Sequence, residues 1–173
     1  MSKEFFEKFT EDTNVKLELY EDYLTKWLPV FIATPRPFKN TVNIMDLFCG
    51  PGQDSEGTLG SPLVALKVLK KNEGHVYNTS VEINLYFNDY EKDHIGQLKQ
   101  NIEQFGYNKR KVNIHYSCRD FTDYYQNLQS LTRNSANLIF LDQFGIKYVD
   151  QKKFTEITQF PVTDLIFFIS STT

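Results

Sequence analysis

The sequence has only two cysteines, Cys49 and Cys118, too few for a disulfide framework in 173 residues. Its three histidines, His75, His94 and His115, are scattered rather than clustered, so no metal site is expected. No stretch approaches the ~18 uninterrupted apolar residues of a membrane span. Met1-Ser2-Lys3-Glu4 runs into charged sequence without the apolar core of a secretory signal. Positive charge is not in excess either. A net charge of −3 and a pI of about 5.6 give no overall electrostatic footprint for nucleic acid. What is present is a globular balance of 40% apolar, 15% aromatic and 24% charged residues, which excludes a disordered chain. The expectation is one cytoplasmic domain, or one domain with a helical appendage.

Asn14 to about Thr34 reads as a helix. Leu17, Tyr20, Leu24, Leu28 and Phe31 form one stripe, and Leu19, Tyr23, Trp27 and Val30 an adjacent one. Two stripes predict a mostly buried helix, stopped by Pro35 and Pro37. Residues 2–10 suggest a further short helix. Val42 to Phe48 then reads as a buried strand leading into a polar, glycine-rich loop. Ser61 is the expected N-cap of a helix that has Pro62 at its first position and ends near Lys71. Further strands are expected at Asn84–Asn88, Val112–Tyr116, Asn137–Asp142 and Leu165–Ile169. Helices are expected at Glu91–Phe105, with Gly106 as stop, at Phe121–Leu131, and across 149–159.

Five apolar strands alternating with helices predict an α/β fold, with a doubly wound, mostly parallel sheet of order 3-2-1-4-5. A sheet of the nucleotide-binding kind normally continues to a sixth strand, so a C-terminal truncation is one reading of the ending at Thr173. The expected division is an N-terminal helical extension over 1–40 and an α/β domain over 41–173.

In such sheets ligands bind beyond the C-terminal ends of the strands, where the strand order reverses. The segments to inspect are therefore Asp46–Gly52, Asn88–Glu91, Ser117–Phe121 and Asp142–Gly145. Gly50-Pro51-Gly52 is either a tight strand exit or a turn that lets a ligand reach the main chain. Ser55 stands where a dinucleotide fingerprint has its third glycine. Asp89 follows Asp46 by far more than the ~20 positions of a dinucleotide site, which counts against a nicotinamide cofactor. There is no Gly-Lys-Ser/Thr for a P-loop. Asp89 suits a ribose diol or a helix start. Asp120 with Phe121 suits an adenine amine and ring face, or a helix cap. Asp142-Gln143-Phe144-Gly145 ends the most apolar strand with an acid, an amide, an aromatic and a glycine, which packing alone does not require. Lys109-Arg110-Lys111 and Lys152-Lys153 are phosphate contacts or solvated surface. Cys49 has no histidine nearby to activate it and reads as a packing residue.

Asp46-Leu47-Phe48-Cys49-Gly50-Pro51-Gly52 resembles the first motif of S-adenosylmethionine-dependent methyltransferases. A longer ordered series runs from Leu17-x-x-Tyr20 and Tyr23-Leu24-x-x-Trp27-Leu28-Pro29 through Gly50-Pro51-Gly52 and Gly60-Ser61-Pro62-Leu63-x-Ala65-Leu66 to Leu141-Asp142-x-Phe144-Gly145. That series resembles the three-Cys-motif partner family over nearly the whole chain. The resemblance implies a Rossmann-like, class I methyltransferase-like fold, S-adenosylmethionine as cofactor, and a neighbouring partner protein with three cysteines. It implies that Asp46, Phe48, Gly50 and Gly52 line the methionine part of the cofactor. Asp89 takes the ribose, and Asp120 and Phe121 the adenine. The catalytic candidates are Asp142, Gln143, Phe144 and Gly145, where acceptor meets methyl group. Gln143 departs from the proline of the family pattern, which opens the alternative of a non-catalytic scaffold for the partner. Nucleic acid as acceptor is a further expectation, and it would require base flipping.

Overall fold

Strands and helices alternate along the chain because apolar runs of six to eight residues are separated by amphipathic segments of helical period. The computed structural model describes residues 7–107, 111–143 and 148–169. Its elements are α1 (Glu11–Ile32), β1 (Thr41–Asp46), α2 (Ser61–Lys71), α3 (Glu73–Asn78), β2 (Glu82–Asp89), α4 (Lys92–Phe105), β3 (Val112–Cys118), α5 (Phe121–Thr132), β4 (Ala136–Gln143), α6 (Gln151–Ile157) and β5 (Thr163–Ile169). The five strands form one sheet of order β3-β2-β1-β4-β5, and every neighbouring pair is parallel. The doubly wound, Rossmann-like topology expected from the strand pattern is therefore the one observed.

Helices cover both faces. Val42, Ile44, Ile83, Leu85, Leu138 and Phe140 face the core formed with α1, α2 and α4, including Tyr20, Leu24, Leu28, Leu66 and Leu98. Met45, Leu47, Ile139 and Leu141 face Phe121, Tyr124 and Leu128 of α5 and Ile157 of α6. Alternate residues of one strand thus serve two cores, which is why the strands read as continuously apolar. α1 packs into the first core through Tyr20, Leu24, Trp27, Leu28, Phe31 and Ile32.

A ladder of polar side chains crosses the sheet near the N-terminal ends of the strands. Asn113 donates to Asn84 at 3.0 Å, Asn84 to Asn43 at 3.2 Å, Asn43 to Asn137 at 3.0 Å, and Asn137 to the Thr163 hydroxyl at 3.0 Å. These residues stand opposite one another in the strand register, so each amide meets the next. A slip of any inner strand by one residue would leave buried amides unpaired, so the ladder favours a single register.

Several expectations need correction. Residues 7–10 are not helical, and α1 begins at Glu11, with Thr10 as N-cap accepting the Thr13 amide at 3.2 Å. Of the second stripe on α1 only Trp27 is buried. Leu19 and Val30 are 55% and 59% exposed, and Tyr23 is exposed as well, its hydroxyl donating to Asp164 Oδ2 on the edge strand β5 at 3.0 Å. Gly60, not Ser61, is the N-cap of α2. The short helix α3 fills a segment to which the sequence pattern assigns no element. Gly106 ends α4 with a φ of +70°, and Asp120 caps α5 by accepting the Thr122 amide at 2.8 Å, as expected for these residue types.

Candidate functional site

The strand ends gather around one cavity of about 540 Å³, inside the ~300–1,000 Å³ typical of small-molecule sites. Its wall includes Phe48 to Gly52 after β1, Ser61 at the start of α2, Asp89 at the end of β2, Asp120 and Phe121 at the start of α5, and Asp142 at the end of β4. The parallel register makes this inevitable: with β1 and β4 adjacent at the reversal of strand order, their exits diverge and leave a crevice. The glycine turn and the acid that ends β4 do line the same hollow.

The loop after β1 is shaped by its glycines. Gly50 and Gly52 have φ values of +58° and +87°, the left-handed region that side chains disfavour. A Cβ on Gly52 would stand 2.6 Å from Leu98 Cδ1. The loop is tied down at both ends. The Gly50 amide donates to Asp89 Oδ2 at 2.9 Å, and the Gly60 amide donates to the Gly52 carbonyl at 2.7 Å.

Asp46 is fully buried beneath the cavity and is not part of its wall. Its Oδ1 accepts the Phe48 amide at 3.4 Å, and its Oδ2 has no hydrogen-bond partner among the described residues. Burial pushes its carboxyl up to about 7, against the Ser61 hydroxyl and Phe48 amide, which favour the charged form, while Asp142 and Asp89 push it further up. The hydroxyl of Tyr20 on α1 is also buried and has no hydrogen-bond partner among the described residues. Burial first, and the charge of Asp46 second, raise its pKa well above the usual phenol value.

Asp89 carries more bonds than a free ribose acceptor would. Besides Gly50, its carboxylate accepts the Glu91 amide at 2.8 Å and lies 3.1 Å from His94 Nδ1. Asp120 is the α5 cap already described. Asp120 therefore has the helix-start role that its sequence position allowed, whereas Asp89, the last residue of β2, only accepts the amide of Glu91, the N-cap residue of α4; both acids also line the cavity. Phe48 stacks on Phe121, with centroids 5.2 Å apart, and lies 5.7 Å from the Tyr148 ring, giving the wall an aromatic side. Gln143 is the last residue of β4; its side chain and all of Phe144 and Gly145 lie outside the described residues. So do Lys109 and Arg110 of the first basic run.

Sequence reading missed the contribution of α1. Phe9, Thr13, Lys16 and Leu17 close one side of the cavity, and Lys16 Nζ meets Asp142 Oδ1 at 2.8 Å. A partner 126 residues away leaves no local signal. The segment before α1 is anchored where the Phe9 amide donates to Asp54 Oδ2 at 3.0 Å. Although burial works the other way, the Phe9, Thr58 and Glu56 amides hold the Asp54 carboxyl below its ordinary value. Cys49 is buried, and burial drives its thiol well above the ordinary value, which disfavours the thiolate.

No protein-family model matches this sequence, and no curated protein matches it. Solved structures do. The chain is similar to a SAM-dependent methyltransferase from Agrobacterium tumefaciens, with 18% identity, a TM-score of 0.44, and coverage of 79% of this chain and 34% of the other. It is similar to a putative caffeoyl-CoA O-methyltransferase from Staphylococcus aureus, with 14% identity, a TM-score of 0.49, and coverage of 94% and 59%. It is also similar to M. capricolum TrmK in complex with S-adenosyl-homocysteine, with 13% identity, a TM-score of 0.42, and coverage of 85% and 49%. The chain thus spans between 34% and 59% of the length of these structures.

Among the described residues no group of three or more His, Cys, Asp or Glu is placed to hold a metal ion, and no helix is long and apolar enough to cross a membrane.

Proposed function

We infer that this chain is a methyltransferase-like protein that binds S-adenosylmethionine in the cavity at the C-terminal edge of the sheet. One observation carries the reading: the left-handed Gly50 and Gly52 turn and the Asp142 end of β4 wall a single cavity together with Asp89, Asp120 and a stacked aromatic pair. The fit is chemical as well as spatial. The glycine turn admits a ligand to the main chain, and two carboxylates stand where a nucleoside offers hydroxyls and an amine. Aromatic rings stand where a cationic sulfur gains from a ring face, worth about 0.5–2 kcal/mol.

In this reading Phe48, Gly50 and Gly52 bound the methionine part. Asp46 acts on it from below through its field, Asp89 takes the ribose through capacity left beside its backbone bonds, and Asp120 and Phe121 take the adenine. The segment from Asp142 through Gln143 and Phe144 to Gly145 holds the acceptor, with Asp142 at the border between acceptor and cofactor. When bound, the cofactor supplies a methyl group activated by a sulfonium. The chain aligns the acceptor and excludes water. The ordered motifs further support membership of the three-Cys-motif partner family, with a three-cysteine protein as partner and nucleic acid as one class of acceptor.

Titration calorimetry with S-adenosylmethionine and with its demethylated product tests the cofactor. Heat and a thermal shift are expected from both. No heat and no shift at millimolar ligand overturns the reading. A second reading, a non-catalytic scaffold for the three-cysteine partner, is favoured by Gln143 in place of proline and by the exposed Val15, Leu19 and Val30 on α1. Its mark is a partner complex that survives replacement of both Asp46 and Asp142 by alanine.

A further inference from the structure

The two edges of the sheet are built differently. β3, at one edge, alternates apolar residues with Asn113, His115 and Ser117. β5, at the other, holds no proline, lysine or arginine, and runs Leu165-Ile166-Phe167-Phe168-Ile169 without a polar residue. Natural edge strands normally carry such residues to prevent pairing with another chain. Among the described residues no strand pairs with the outer side of β5. The Asn137 amide of β4 donates to the Val162 carbonyl, so by alternation along the strand Thr163, Leu165 and Phe167 turn their amides and carbonyls outward.

α1 extends the same edge. It lies above β4 and β5, where Tyr20 meets Phe140 with ring centroids 4.4 Å apart and the Tyr23 hydroxyl donates to Asp164 at 3.0 Å. Glu21, on the opposite side of the helix, meets Lys67 and Lys71 of α2. The exposed flank of Val15, Leu19 and Tyr23, at four-residue spacing, therefore faces away from α2 and past the sheet edge. Lys16 Nζ lies 5.7 Å above the Phe168 ring, near the end of β5. Asp164, near its start, is the one charged residue of the strand and meets no cation among the described residues.

We propose that β5 pairs antiparallel with β5 of a second copy of this chain, about a two-fold axis at Ile166, joining two five-stranded sheets into one. Overlap of the whole strand, Thr163–Ile169, fixes that axis and sets Asp164 of each copy opposite Phe168 of the other. Lys16 already stands over that phenylalanine, so each copy brings a cation to the other's Asp164. Lys16 has donors to spare, since an ammonium carries three N–H groups and Asp142 takes one. The same axis brings the two α1 flanks together on one face of the sheet. With strands about 4.8 Å apart, two helices each lying above a β4–β5 pair have axes roughly 10 Å apart, the distance at which helices pack. α1 runs antiparallel to β5, because Lys16 lies near Phe168 and Tyr23 near Asp164. Leu19, between them, then meets Leu19 of the second copy, and Val15 meets Tyr23. The dimer does not depend on the cofactor reading above.

Sedimentation equilibrium of the full chain across micromolar concentrations is the test. A reversible dimer of twice the 20.3 kDa chain mass is expected. Leu19→Glu sets two like charges against each other at the axis, and Asp164→Lys sets a cation against Lys16. Each should weaken the dimer at least about tenfold. Phe38→Glu, which removes an exposed ring outside this surface, should leave it unchanged. A monomer at every concentration overturns the proposal. So does a dimer that either of the first two substitutions leaves intact, and so does open-ended association without a two-fold stop. A monomer that binds a three-cysteine protein, and loses it with Leu19→Glu, overturns the proposal by giving the surface to that protein. Leu19 is exposed on α1, so Leu19→Glu decides the matter even if Asp164→Lys does not fold.

Discussion

The two ends of the sheet treat buried polar groups in opposite ways. At the N-terminal ends, Asn113, Asn84, Asn43, Asn137 and Thr163 bond to one another in an unbroken row, with Ser135 and the Leu131 and Thr132 carbonyls taking the remaining capacity. At the C-terminal ends, Asp46 Oδ2 and the Tyr20 hydroxyl are buried without hydrogen-bond partners among the described residues, and Asp142 turns one oxygen to Lys16 at the wall of a cavity. A closed polar network holds a fold in one arrangement, whereas open polar capacity beside a hollow is what ligand recognition draws on. The contrast separates structure from candidate chemistry within one sheet.

The largest expected effect comes from the open end. The Asp46 pKa rises from 3.8 unfolded to about 7 folded, so the folded chain holds that proton more tightly. The associated stability is fully present below pH ~4 and is lost as pH rises through about 7, a change on the order of 4 kcal/mol. Asp46→Asn should therefore gain stability relative to the unmodified chain as pH rises, and denaturant unfolding across this pH window reads the difference. A difference independent of pH would mean that the acid is not desolvated.

At the closed end, Asn43→Leu should cost about 3 kcal/mol in the same assay at neutral pH, because it strands amide groups on two neighbouring strands. A near-neutral result would show that the ladder tolerates apolar replacement. Gly52→Ala should cost about 2 kcal/mol through its positive φ and the Leu98 contact, and should also weaken adenosyl ligand binding. Thermal unfolding paired with calorimetry separates the two effects. The smallest effect is expected of Asp120→Ala, about 1 kcal/mol from loss of the α5 cap. If Asp120 also serves the cavity, ligand affinity falls beyond what that destabilisation explains.

The architecture was legible because strands buried on both faces and helices buried on one leave different periods in a chain. Glycine and aspartate at the strand exits marked the cavity for a similar reason, since turns and caps need those residue types locally. Lys16 was not legible. A lysine on a helix looks the same whether it meets water or a carboxylate 126 residues away. The asparagine ladder left a faint trace, a polar residue near the start of each of four apolar runs, yet its meaning depends on registers that no single strand encodes. The exposed flank of α1 was misread because helical periodicity shows where apolar residues lie, not whether anything covers them.

Local sequence, then, determined the order and type of the elements, the turn geometry at Gly50 and Gly52, and the cap at Asp120, because these follow from backbone sterics and short-range hydrogen bonds. Tertiary structure alone decided which acids were engaged, which were left open, and that α1 reaches the end of β4. Those outcomes depend on distances between residues far apart in the chain, and such distances exist only once the sheet has closed its register.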